Sequence, residues 1–295
     1  MAELLNDFLN MQFILGIIIA IGYFTLLIAE QRWPLRKRMH SLLPRILINF
    51  TFTALVYIVA SALISPLAKF TIDMTQTHTF GLLPLLPIQG LPHFILGFLL
   101  MDLTFYYWHR MNHVIPLLWR FHNVHHVDPD LDVTTSMRFH FIEIAYSSIF
   151  RLIQLGLIGI DPLTFFCYEF AFQGNTFFQH SNIKLPIRLE RMINKIIVTP
   201  RMHGIHHSNY LDETNRNYGV VFSFWDHLHR TIRLNIPQQS ITIGVPAYLK
   251  PSDNTFINLL LMPFKPQRRY WQANNEKYIS RISEQSDKHL GYLAE

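Results

Sequence analysis

The chain has 295 residues, of which 50% are hydrophobic and only 15% charged, with 24 Phe, a single cysteine and a formal net charge of +5. A charged fraction well under the roughly 25% of soluble domains, with so many aromatics, excludes a disordered chain and argues for a membrane protein. The lone Cys167 excludes an internal disulfide framework, and the basic balance raises nucleic acid as a partner to be tested against the distribution of charge.

A membrane-spanning helix needs about 20 mainly apolar residues. Residues 11–29 provide 19 without a charge, 46–68 provide 23, and 91–108 provide 18 around one carboxylate, Asp102. The first segment is too long, and its C-terminal flank too basic, for a cleaved signal peptide, so it is expected to persist as a helix. Residues 139–178 form a 40-residue apolar stretch broken at Asp161-Pro162, a turn signal. This stretch reads as two crossings or a re-entrant hairpin. Arg151 and Glu169, one in each arm, are expected to approach each other, or the hairpin to be shallow, because an unpaired charge at membrane depth costs on the order of 3 kcal/mol.

Lysine and arginine in short loops set the orientation. Arg32, Arg36, Lys37, Arg38 and Arg45 separate the first two segments, whereas residues 70–90 carry neither residue type. The N-terminus and the 70–90 loop are therefore expected outside, and residues 109–138 inside. The hairpin returns the chain to the inner side, where Lys184, Arg188, Arg191, Lys195 and Arg201 follow. The basic excess thus alternates with the spans, as topology and anionic lipids demand, and nucleic-acid binding is not expected. The fold class is all-α integral membrane, with about four transmembrane helices and a cytoplasmic helical cap. The domain reading is 1–90 for the N-terminal helices and outer loop, 91–264 for a catalytic domain, and 265–295 for a polar tail.

Eight of the 16 histidines fall in three groups: His109 and His113; His122, His125 and His126; and His203, His206 and His207. Residues three and four apart share a helix face, so one helical turn is expected to offer two or three imidazoles to one point in space. Neutral imidazoles are ligands for zinc, copper, iron and nickel, and eight exceed the needs of one ion but suit two. The groups lie on the same expected side of the membrane, the third returned there by the hairpin. His40, His78, His93, His227, His229 and His289 stand apart and read as ordinary surface or core residues. A membrane zinc hydrolase and a metal transporter are the rival classes. The first would place a glutamate between paired histidines, and the second would place ligands inside the spans; neither pattern occurs here.

The HxxxH, HxxHH, HxxHH series in a multi-span basic protein resembles the fatty acid hydroxylase / sterol desaturase superfamily of membrane non-haem di-iron enzymes. Asp102-Leu-Thr-Phe-Tyr-Tyr-Trp-His109, Met137-Arg-Phe-His140-Phe-Ile-Glu143, Asn217-Tyr-Gly219 and Phe224-Trp-Asp226 resemble its accompanying stretches, and residues 244–264 look like the tail of its small bacterial members. The likeness covers roughly 95–264. It departs at His227 and His229, where arginine is expected after Trp-Asp. The resemblance implies two irons and a ninth ligand, His180, and leaves His140 open as a further one. It implies O2-dependent hydroxylation or desaturation of a lipid (a sterol, a fatty acyl chain or a related lipid) at the cytoplasmic face of a bacterial inner membrane or of the endoplasmic reticulum. Electrons would come from a separate donor of cytochrome b5 or ferredoxin type with its reductase, because the chain has no fused haem, dinucleotide or iron–sulfur motif. Asp102, two helical turns below His109, is expected to accept the second N–H of a ligating imidazole, and Glu143 is a candidate for the same role.

Overall fold

The computed structural model describes residues 2–272, which are helical with no strand among them. Helix α1 (Ala2–Arg32) leads through a short linker to α2 (Leu42–Val59). A π-turn (Ala60–Ile64) joins α2 to α3 (Ser65–His78) without a break. Then come α4 (Leu91–Val114), α5 (Pro116–His126), α6 (Phe141–Ile158) and α7 (Pro162–His180). Short helices complete the described chain: α8 (Ile187–Ile193), α9 (Pro200–His206), α10 (Leu211–Thr214), α11 (Phe224–Leu228) and α12 (Phe256–Leu261).

Local chemistry sets the element ends. Gly90, at φ 62°, precedes α4, and Pro116 occupies the first turn of α5, where its missing N–H costs nothing. Gly159 ends α6 in the left-handed conformation, a cap that favours glycine. The expected break follows at once: the Asp161 carboxylate accepts from Thr164 N at 2.9 Å, and Pro162 starts α7. Helices α6 and α7 have 18 and 19 residues, or about 27–29 Å at 1.5 Å per residue, close to the hydrocarbon thickness of roughly 30 Å.

Among the described residues, two helices are long and apolar enough to cross a membrane by composition, Leu42–Thr75 and Phe141–Ile158. The expected outer loop at 70–90 is shorter than the charge pattern suggested. Helix α3 runs on to His78, and Thr79, at φ 52°, caps it. At the start of the helix one side of α2 turns inward, although Leu43 and Leu47 stay exposed. Arg45, Asn49 and Phe52 are buried there, and Arg45 binds Asp128 at 2.7 Å and Asp132 at 2.6 Å. The exposed faces beyond are oily, with Tyr57, Ile58, Leu63, Leu67 and Phe70 on α2, the π-turn and α3, and Ile149, Ile153 and Leu157 on α6.

The two ends of the bundle differ in chemistry. At one end the 79–90 loop closes on the α6–α7 turn, where Leu82 N donates to Leu157 O at 2.8 Å. A Cβ on Gly81 would come within 2.5 Å of the Gly159 backbone, so only glycine fits this approach. At the other end the C-terminal half of α4, α5, the end of α7 and α9 converge on buried histidines. Arg151 and Glu169 do meet, at 3.0 Å, with the guanidinium also over the Phe105 ring. Of the tail from 265, residues 265–272 pack back onto the histidine end through Arg268, which pairs with Asp253 at 2.7 Å; 273–295 lie outside the described residues.

Candidate metal centre

Nine imidazoles gather into two adjacent groups. His109, His113, His122, His126 and His206 form one, and His125, His180, His203 and His207 the other, with the ligand atoms of each group within 4.8 Å of one another. These are the eight box histidines and His180. Helix geometry explains the partition. Each i, i+4 pair (His109 and His113, His122 and His126, His203 and His207) serves one group. Neighbours in an HxxHH doublet are 100° apart around the helix, so His125 and His126 part to different groups, as do His206 and His207. The expectation that one helical turn addresses a single point is thus corrected: α5 and α9 each straddle both groups. His180 completes the second group from the last residue of α7.

In the second group the Nε2 atoms of His180 and His125 are 3.1 Å apart, those of His203 and His180 3.0 Å, and those of His207 and His203 3.1 Å. Nitrogens bound to one ion at about 2.1 Å lie roughly 3.0 Å apart when the angles at the ion are near 90°, and roughly 3.4 Å apart in a tetrahedron. These separations are short enough for the nitrogens to share one ion. In the first group the Nε2 atoms of His122, His126 and His206, and both ring nitrogens of His113, are buried without a hydrogen-bond partner. Orphaned buried nitrogens are costly unless something takes them up, and a cation does so. Burial pushes His109, His122 and His180 down to about 3. It also holds His113, His125, His126, His203, His206 and His207 well below the ordinary imidazole range, their mutual proximity acting in the same direction. All nine rings are therefore neutral and offer lone pairs.

Outer partners fix several rings. The Nδ1 of His109 lies 2.9 Å from Tyr218 O, that of His206 2.7 Å from Arg216 O, and that of His180 2.7 Å from Thr176 O. Among the described residues the one carboxylate in this role is Glu143, with Oε1 2.7 Å from His122 Nδ1. Asp102 does not meet an imidazole, and the expectation that it would is corrected. Its carboxylate accepts from Val221 N at 3.2 Å, Phe222 N at 3.0 Å, Trp225 Nε1 at 2.9 Å and the Tyr168 hydroxyl at 3.4 Å. Two turns below His109, it is one layer too deep for the rings and level with the backbone that follows the last box. His140 joins neither group: its Nδ1 accepts from Ile142 N at the start of α6, and its Nε2 lies 3.1 Å from Leu260 O.

Several supports were not legible as such. Asp226 accepts from Tyr218 N, Gly219 N and the Thr231 hydroxyl, shaping the loop whose Tyr218 carbonyl meets His109. Phe139 stacks on His125, centroids 4.5 Å apart, and Trp119 lies 5.0 Å from His113 and 5.2 Å from His126. Asn217-Tyr-Gly219 and Trp-Asp226 were the visible traces of that loop, but backbone acceptors leave no sequence signature. His229, the departure after Trp-Asp, stacks on Tyr106 at 4.7 Å and touches Tyr107 rather than the nine histidines. His40, His78, His93 and His227 are likewise outside both groups, and His289 lies outside the described residues.

Residues 94–231, the segment that contains all nine histidines, match the family described as fatty acid hydroxylase. It is 35% identical over 182 residues to the ornithine lipid hydroxylase OlsE of Rhizobium tropici, covering 59% of this chain and 51% of that one. It is 26% identical over 190 residues to cholesterol 25-hydroxylase of Homo sapiens, covering 60% of this chain and 64% of that one. Alkylglycerol monooxygenase of Homo sapiens is 28% identical over 142 residues, 46% of this chain and 29% of that one. The chain thus spans half to just under two thirds of the length of the first two relatives. No solved structure matches it.

Proposed function

We propose that this protein is a membrane di-iron oxygenase that oxidises an unactivated C–H position of a lipid, using O2 and electrons from a separate donor. The observation that carries the reading is the partition of nine buried, neutral imidazoles into groups of five and four within one fatty acid hydroxylase segment. A closed tetrahedral zinc site has no use for five ligands. The relatives named for ornithine lipid, cholesterol and alkylglycerol favour a lipid substrate and hydroxylation over desaturation.

When bound, a pair of irons would supply reductive activation of dioxygen, the step no amino-acid side chain can perform. The chain's own residues do the rest. The five-histidine and four-histidine sets hold the two ions, with His122 and His126 on one ion and His125 on the other. Glu143 orients His122, and the Tyr218, Arg216 and Thr176 carbonyls fix the tautomers of His109, His206 and His180. The Phe139 and Trp119 rings cover the ligands and keep water from them. The site forms where α4 and α7 end, which suits a lipid whose chain enters from the bilayer between them. We infer three single crossings, by α1, by α2 with α3 and by α4, followed by the α6–α7 hairpin, which enters and returns on one side, with the histidine end cytoplasmic.

Metal analysis and lipid turnover of the purified protein test the reading together. Two irons per chain, and one oxygen atom from 18O2 in the product lipid, are expected. One or two zincs with O2-independent cleavage of an ester or amide would refute it.

A further inference from the structure

The segment Phe256–Phe264, which is α12 followed by a 3-10 turn (Met262–Phe264), is apolar on both sides. Inward, Phe256 lies against Phe52 of α2, ring centroids 5.3 Å apart, and Leu259 and Met262 are buried. Outward, Ile257, Leu261 and Phe264 are 58%, 43% and 59% exposed. Their spacing of four and three residues sets them along one side. A helix on a water-facing surface is polar on its outer side, whereas one that is apolar all round is covered by something apolar. Asn258 is the single polar side chain in the segment, and both ends of its amide are engaged nearby in the chain. Its Nδ2 donates to Ser252 O at 2.7 Å, and its Oδ1 accepts from Lys265 Nζ at 2.9 Å, as an apolar surround requires.

Contacts with three other elements fix the level of the segment in the bundle. His140, whose Nδ1 accepts from Ile142 N at the start of α6, donates from Nε2 to Leu260 O at 3.1 Å. The Phe264 ring lies 5.9 Å from that of Phe121 on α5, and the Phe52 ring lies 6.5 Å from that of His140. The segment therefore rests beside the first turn of α6, a helix long and apolar enough to cross a membrane, at the histidine end of the bundle. Leu117, exposed one turn before Phe121 on α5, extends the apolar side.

Charge selects the partner. Between residues 244 and 272 the cations are Lys250, Lys265, Arg268 and Arg269, and the one acid is Asp253, whose two oxygens both accept from Arg268. From neighbouring elements the charged groups are Arg120, near Tyr248 and Tyr270, and the buried pairs of Arg138 with Asp128 and of Glu143 with His122. An apolar side flanked by cations suits the boundary between headgroups and acyl chains, where anionic lipid attracts the flanks. Two copies of the segment set face to face would instead bring like charges together.

We propose that the outward side of Phe256–Phe264 docks into this lipid boundary, as an in-plane helix that holds the histidine end against the bilayer. The inference goes beyond the reaction assigned above and rests on α6 entering the membrane.

The test uses the full chain with Cys167→Ala, one introduced cysteine labelled with bimane, and nanodiscs of phosphatidylcholine and phosphatidylglycerol. Ile257→Cys and Leu261→Cys replace exposed side chains. Their labels should be quenched by a lipid nitroxide placed near the headgroup and should lose quenching by aqueous iodide. The label of Ser252→Cys, in the exposed turn before α12, should show the reverse. Iodide quenching at 257 and 261 as strong as at 252 would overturn the proposal. Shielding from both quenchers would overturn it too, because protein, a second copy or the chain beyond 272, would then cover the face. Ile153→Cys, exposed on α6, reads the premise separately. Its label should answer only to a nitroxide deep in the acyl chains, and iodide quenching there would remove the placement of α6 and the docking of α12 with it.

Discussion

Replacing Glu143 by leucine removes the one side-chain carboxylate that meets a metal-site imidazole. The Oε1–Nδ1 separation is 2.7 Å, both groups are buried, and no other acceptor serves His122 Nδ1. Loss of such a partner commonly lowers metal affinity 10–100-fold, which is about 1.4–2.7 kcal/mol. Because His122 belongs to the five-histidine group alone, the loss should fall on one ion of the two. Anaerobic titration of the metal-free protein with Fe(II) against a chelator reads this directly, as one binding step weakened and the other unchanged. Glu143→Gln keeps an oxygen that can accept from Nδ1, so it should recover most of the lost affinity. Two binding steps of wild-type strength in Glu143→Leu would refute the argument, and equal weakening of both would refute the partition of ligands.

The partition has its own test: His206→Ala should weaken the five-histidine step and His207→Ala the four-histidine step, although the residues are adjacent, as metal titration would show. Asp102→Leu leaves two backbone N–H groups and the Trp225 indole without their acceptor. At about 1–3 kcal/mol for each buried donor, a large fall in thermal stability is expected, and Asp102→Asn should recover part of it. The metal-free protein should lose stability as pH falls from about 6.5 toward 3. Burial lowers the folded pKa of His109, His122 and His180 to about 3, so over that window the unfolded state binds more protons. The slope is up to about 1.4 kcal/mol per pH unit for each histidine, and metal loading should shift acid unfolding to lower pH, as circular dichroism against pH would report. Finally, cysteine at the exposed Leu85 and cysteine at Lys250 should be labelled from opposite faces of sealed vesicles.

The sequence by itself determined what depends on composition and on spacing along one helix. Apolar length marked the helices, Asp161-Pro162 marked the hairpin turn, and of the two outcomes open to Arg151 and Glu169, pairing or a shallow hairpin, the structure shows pairing. The box histidines were legible because i, i+3 and i, i+4 spacings place side chains on one face before any tertiary contact forms. What the spacing could not give was the division of labour between two ions, because that depends on which neighbouring helix meets each side of α5 and α9. Asp102 and Glu143 make the same point from opposite sides. Both are single carboxylates in apolar segments near a box, indistinguishable by burial cost. Only the depth at which α4 and α6 pack decides that Glu143 reaches His122, while Asp102 reaches the backbone at 221–222. The Tyr218, Arg216 and Thr176 carbonyls were invisible for a related reason: every residue has a carbonyl, and only the tertiary structure decides which of them meet a buried imidazole.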